Sequence, residues 1–236
     1  MKILKNWDNN TWLSSKNYIL SFYKFLKKEI HIHKNLKILD VGCGRGKIIS
    51  FISKKHKLNY YPIGIDIVNH KIKNNRIKFI KKNAIEFLKY SDSKFDLILF
   101  KQSVHFFKNN EIKYLLRLIK KQMNKNGKII ICSLNSSKIN IPTFELFNLK
   151  LKASLSKDKN KIKLIKKIFK KFKIVNFKFK VIIKKNSYIE MINKRYISCL
   201  LKLSSKEIKI GTDQIKKQFN NKIIFFDHLS CLIYKK

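Results

Sequence analysis

At 236 residues, with 44% apolar and 12% aromatic residues, the chain has material for a sizeable buried core, which excludes a disordered or low-complexity protein. A formal charge of +41 raises nucleic acid or an anionic membrane as partners. Only four of the 55 basic residues are arginines, however, and the lysines are spread along a chain also rich in Asn and Ile, as AT-rich coding supplies; a dedicated polyanion site is not favoured.

Taken in chain order, residues 11–30 place Trp12, Tyr18, Ile19, Phe22, Phe25, Leu26 and Ile30 at helical spacing. Leu36–Val41 reads as a short buried strand ending in glycines, and Lys47 to about Lys55 as a helix. Then come a strand over Tyr60–Val68, a short helical or turn segment over Asn69–Asn74, a strand over Ile77–Ile80 and a helical turn over Ala84–Lys89. Phe95–Phe100 is a strand, Glu111–Met123 a helix, and Asn126-Gly127 turns into the apolar strand Lys128–Leu134. Thr143–Phe172 reads as one or two helices, with a break near Ser156–Asn160. Val175–Ile183 and Ile223–Tyr234 are late strands suited to an antiparallel pair, separated by a helical insertion over 186–220. Continuously apolar strands alternating with helices indicate a doubly wound α/β domain, with ligands at the carboxyl ends of its strands. Insertions over that edge often form lids.

The cysteines Cys43, Cys132, Cys199 and Cys231 contain no CxxC pair, so they read as reduced thiols rather than a disulfide framework or zinc module. No leader-like or membrane-length apolar run is apparent, and the expected location is the cytoplasm. His31 and His33 read as surface residues; no metal site is expected.

The chemistry concentrates after the first strand. Gly42, Gly44 and Gly46 let the backbone turn sharply and approach a ligand, and the following helix offers free N–H groups. The spacing is GxGxG, not the dinucleotide GxGxxG. Asp66 ends the second strand, where a carboxylate can accept hydrogen bonds from both ribose hydroxyls of an adenosine. His105 stands at the mouth of the fourth strand, either as a general base, to which its side chain is suited, or as a structural histidine flanked by Phe106 and Phe107.

Ile38-Leu-Asp-Val-Gly-Cys-Gly-Arg-Gly46 resembles motif I of class I S-adenosylmethionine (SAM)-dependent methyltransferases, and Gly64-Ile-Asp66 their acidic loop. Asn83-Ala84 falls where the family commonly has Asp-Ala against the adenine. Phe95–Phe107 resembles motif IV of the type 11, trans-aconitate-methyltransferase-like group, with Gln102, His105 and Phe106 at its Gln, His and aromatic places. The resemblance covers about residues 36–134 in ordered motifs. It implies a Rossmann-like, mostly parallel seven-stranded sheet with an antiparallel last strand. It also implies SAM as cofactor and S-adenosylhomocysteine (SAH) as product, held by Asp40, Gly42, Cys43, Gly44, Gly46, Asp66, Ile67, Asn83, Ala84, Lys101 and Gln102. One domain over 1–236 is expected, with an N-terminal lid (1–30), a cofactor-binding core (36–134) and a C-terminal part (138–236).

The expected reaction is methyl transfer to a small molecule, carboxylate-bearing or otherwise anionic. Trp12, Tyr18, His105, Arg195 and Tyr196 are the candidates for holding it, Arg195 as a carboxylate clamp, and Trp7 joins Trp12 and Tyr18 in the segment resembling the family's lid. The fourth strand lacks the Asn/Asp-Pro-Pro-Tyr/Phe run of exocyclic amino methyltransferases, any Pro-Cys nucleophile, and an acidic magnesium cluster. The alternatives are an RNA or protein methyltransferase using the basic surface, or a non-catalytic SAM-binding protein. A monomer or homodimer without a membrane partner is expected.

Overall fold

The computed structural model describes Asp8, residues 11–70 and residues 76–236. Trp7 and most of the expected turn at Asn69–Asn74 lie outside the described residues. Seven strands, β1 Ile38–Val41, β2 Ile63–Asp66, β3 Lys78–Lys81, β4 Phe95–Lys101, β5 Met123–Leu134, β6 Lys173–Lys184 and β7 Lys222–Lys235, form one sheet in the order β3-β2-β1-β4-β5-β7-β6. The first five strands pair in parallel, and β7 runs antiparallel between β5 and β6. This is the doubly wound sheet that the alternation of elements predicts, in the Rossmann-like form with an antiparallel last strand that the resemblance implies. The winding reverses at β1, flanked by β2 and β4, and the crevice of an open α/β sheet lies at that reversal.

Strand side chains alternate between the two faces. Ile38, Leu97, Leu99, Ile130 and Cys132 join the core formed with α1 (Lys16–Glu29) and α2 (Lys47–His56). Leu39, Val41, Ile98, Phe100, Ile129 and Ile131 join the opposite core, with α3 (Ala84–Tyr90) and α4 (Asn109–Lys121). The same alternation in β7 turns Ile223, Phe225, Leu229 and Cys231 toward the α1 side, with Asp227 in register among them. Tyr18 and Phe22 of α1 seal that side by edge-to-face contacts with Phe177 of β6, at 5.6 and 5.1 Å between centroids.

Two expectations need correction. The helix α5, Glu145–Ile168, runs unbroken through Ser156–Asn160. Buried Phe147, Leu151, Leu155 and Ile165 keep one apolar stripe across those polar residues, and packing of that stripe outweighs their weak helix propensity. The second strand is also shorter than Tyr60–Val68, because Tyr60 and Tyr61 are exposed and ladder pairing starts only after Pro62. The insertion between β6 and β7 comprises α6 (Lys185–Asn193), a 3-10 turn (Ser198–Lys202) and α7 (Ser205–Gln218). A capping box, in which Ser204 and Glu207 serve each other's backbone N–H, fixes where α7 begins. Among the described residues, no helix is long and apolar enough to cross a membrane.

Candidate active site

The turn after β1 is built around left-handed glycines: Gly42, Gly44 and Gly46 have φ of 70°, 55° and 62°. The N–H groups of Gly42 and Cys43 both donate to the Ile65 carbonyl, at 2.8 and 3.1 Å. A Cβ on Gly42 would also strike the Ser103 side chain, whose hydroxyl donates to the Val41 carbonyl. Both backbone conformation and space therefore demand glycine there. The Gly44 N–H donates to Asp66 Oδ2 at 2.9 Å, and the Val68 N–H to Oδ1 at 2.9 Å. Burial acts to raise the Asp66 carboxyl, but hydrogen bonds from His70, Val68 and Gly44 outweigh it and hold the group below its usual range. Asp66 is therefore an anion with acceptor capacity left over.

Asp40 is the opposite case. It is buried at the end of β1, and its Oδ1 has no hydrogen-bond partner. Burial pushes its pKa up to about 7, against the pull of the Lys101 ammonium.

A cavity of about 390 Å³ opens over the carboxyl ends of the strands. On the β2–β3 side it is lined by Asp66, Ile67, Asn83 and Ala84. Asn83 caps α3, its Oδ1 accepting from the N–H groups of Ile85 (2.8 Å) and Glu86 (3.4 Å), so its amide nitrogen is what remains for a ligand. On the β4 side stand Lys101 and Gln102. Gln102 takes a left-handed φ of 55°, its N–H bonded to the Cys132 carbonyl at 2.8 Å, a strained conformation for a non-glycine residue at the mouth of a strand.

His105 lines the cavity from the 3-10 turn Val104–Phe106, its ring 4.0 Å from that of Phe106. Burial and the Lys161 ammonium depress its pKa to about 4. It is neutral near pH 7, and too weak a base for any but an acidic proton.

Trp12 and Tyr196, packed edge to face at 5.4 Å, both line the cavity from above. Tyr18 does not; it is fully buried beneath the Lys101 ammonium, which sits 4.9 Å from its ring centroid. The Cys43 side chain also stays out of the lining and packs against Gly64. Arg195 faces away from the cavity. It holds the left-handed position that closes α6 (φ 52°), donates to the Leu203 carbonyl at 3.1 Å and lines a separate hollow with Asn193, Ser205 and Thr212. The turn that brings Tyr196 inward sends its neighbour outward, so the carboxylate clamp expected of Arg195 is not formed in this cavity.

A family described as "Methyltransferase domain" matches residues 32–195. The chain belongs to that family. It is 32% identical over 151 residues to "Probable inactive O-methyltransferase 11" of Dictyostelium discoideum, covering 61% of this chain and 44% of that protein. It is 31% identical over 111 residues to the "Ubiquinone biosynthesis O-methyltransferase" of Pelagibacter ubique (strain HTCC1062), covering 44% of each. The chain thus spans under half the length of the curated relatives it matches. A SAM-dependent methyltransferase from Archaeoglobus fulgidus shares the fold, with a TM-score of 0.52 at 22% identity over 92% of this chain and 94% of that one. Other proteins of this fold are crystallised with SAH.

In this methyltransferase domain the residues present fit SAM. Asp66 offers a charged acceptor, Gly42 brings backbone to the cavity wall, Gly44 has open space where a Cβ would stand, and Asp40 adds a buried oxygen that lacks a donor. Asp227 of β7 escaped notice in the sequence. It is 1% exposed, accepts from the Trp12 indole N–H at 3.1 Å and lines the cavity. Its signal is an acid in the inward register of an otherwise apolar strand, in a chain with only 14 acidic residues.

Proposed function

We propose that this chain binds SAM across Asp40–Gly46, Asp66–Ile67 and Asn83–Ala84, and transfers its methyl group to a small-molecule acceptor carrying an anionic group. The reading rests on one observation above all. Three left-handed glycines, an ionised Asp66 and an unpaired Asp40 oxygen meet at the topological switch point of the sheet. When bound, SAM supplies an electrophilic methyl carbon on a sulfonium. The chain's own part is to hold both partners and keep water out, which the Trp12–Tyr196 roof and the insertion support. The depressed basicity of His105 favours an acceptor atom that arrives already deprotonated, such as a carboxylate oxygen.

Calorimetry with SAM and SAH tests the cofactor half. We expect one site per chain, weakened at least about tenfold by Asp66→Ala, the order of 1.4 kcal/mol. Folded protein that binds neither compound would refute it. A second reading, cofactor binding without turnover, draws support from the relative named as inactive and from the same weak His105. Transfer of isotope-labelled methyl into any compound of a metabolite extract, read by mass spectrometry, decides against that reading.

A further inference from the structure

The cavity spans both halves of the sheet. Asp66, Asn83 and Ala84 belong to the β2–β3 side of β1, whereas Lys101, Cys132 and Asp227 come from β4, β5 and β7 on the other side. These three share the face that α1 covers, because strand alternation puts positions 97, 99 and 101, positions 130 and 132, and positions 225, 227 and 229 on one side.

Lys101 is the cation of this second half. Its Nζ lies over the rings of Tyr18 (4.9 Å) and Phe22 (5.7 Å), which hold it from below. Its one hydrogen bond among the described residues is a long one, 3.3 Å, to Gln102 Oε1. No carboxylate among those residues lies within ion-pair distance of it; Asp227 accepts from the Trp12 indole through Oδ2, while its buried Oδ1 has no partner and its charge acts on Lys101 from farther off. An ammonium has three donors, so Lys101 reaches the cavity with hydrogen-bonding capacity unspent, at a desolvation cost that a ligand can offset. Burial pulls its pKa down while Asp227, Cys132 and Asp40 pull it back up. Leu13, Ile141, Leu155, Ile197, Trp12 and Tyr196 give the cavity apolar lining, and Glu111, Asp158 and Asp227 line it too, so Lys101 must outweigh their charge for an anion to enter.

Resting on the methyltransferase reading above, we propose that Lys101 anchors the acceptor subsite rather than the cofactor, and that the subsite takes a carboxylate borne on an apolar body.

Benzoate, benzyl alcohol and benzylamine offer one shape with an anionic, a neutral and a cationic head. Each is titrated calorimetrically into the SAH-saturated protein and into its Lys101→Met and Lys101→Arg variants. We expect benzoate to bind at least about tenfold tighter than the other two. Lys101→Met should abolish that preference while weakening SAH less than about threefold, which also certifies its fold, and Lys101→Arg should keep the preference. The proposal is overturned if the alcohol or the amine binds as well as benzoate, if benzoate does not bind, or if its advantage survives Lys101→Met. It is equally overturned if Lys101→Met costs SAH as much as benzoate, since Lys101 then serves the cofactor. Failure of SAH to bind at all sinks the methyltransferase reading instead, and benzoate titrated into the unliganded protein and Lys101→Met still decides the role of Lys101.

Discussion

Asp40 illustrates how much one buried carboxyl can weigh at the residue scale. In the unfolded chain its proton leaves near the ordinary value of 3.8, whereas the fold retains it up to about 7. The folded state therefore binds the extra proton between those values, and stability falls as pH rises from about 4 to 7, by as much as about 4 kcal/mol from this group. Asp40→Asn removes the penalty. Its thermal midpoint should match that of the parent near pH 4 and exceed it by a growing margin up to pH 7, after which the margin stays constant. A margin independent of pH across that range contradicts the buried, unpaired oxygen. The glycines and Asp66 were legible in the sequence because left-handed turns and a strand-end acid leave a local signature. The surroundings that bury Asp40 and Lys101 were not, since they are assembled from elements far apart in the chain, such as α1 beneath Lys101.

At the scale of elements, the N-terminal segment is fastened at two points. Arg45, inside the glycine turn, holds Asp8 with a two-pronged contact of 2.8 and 2.9 Å, and Trp12 holds Asp227 on β7. Trp12 and Leu13, just before α1, thus line the cavity, whereas Tyr18 of α1 is buried beneath the Lys101 ammonium. Arg45→Ala should loosen the N-terminal segment. We expect amide exchange over residues 11–15 to quicken about tenfold, matching roughly 1.4 kcal/mol for a partly buried bidentate pair, while β1 and β4 amides stay as they were. Unchanged exchange over residues 11–15 rules out Arg45 as a fastening point. The succession of the first five strands along the chain was readable because each carries an apolar run with turn residues nearby. The continuity of α5 was not, because polar Ser156–Asn160 look like a break unless the facing core is known.

On the scale of the whole molecule, the sparse acids are unevenly placed. Asp66, Glu111, Asp158 and Asp227 line the cavity and Asp40 lies just behind it, in a chain with only 14 acidic residues and a formal charge of +41. The positive field elsewhere should bind polyanions without selectivity. An oligoribonucleotide is expected to bind at about 50 mM salt and to lose roughly a hundredfold or more in affinity by about 200 mM, with no change on adding SAH. Affinity that responds to SAH would revive RNA as the acceptor. The insertion is set differently into this frame. β6 and β7 pair without interruption from Lys173 opposite Ile233 to Lys184 opposite Lys222, and the Lys185 N–H closes the ribbon onto the Asn221 carbonyl at 2.9 Å. The segment carrying Tyr196 and Ile197 therefore leaves the sheet and re-enters it at neighbouring residues. One stretch of ladder thus holds both ends of the insertion, so closing this long loop costs little chain entropy, and Tyr188, Ile192, Leu200 and Ile215 then bury it in the core shared with α1.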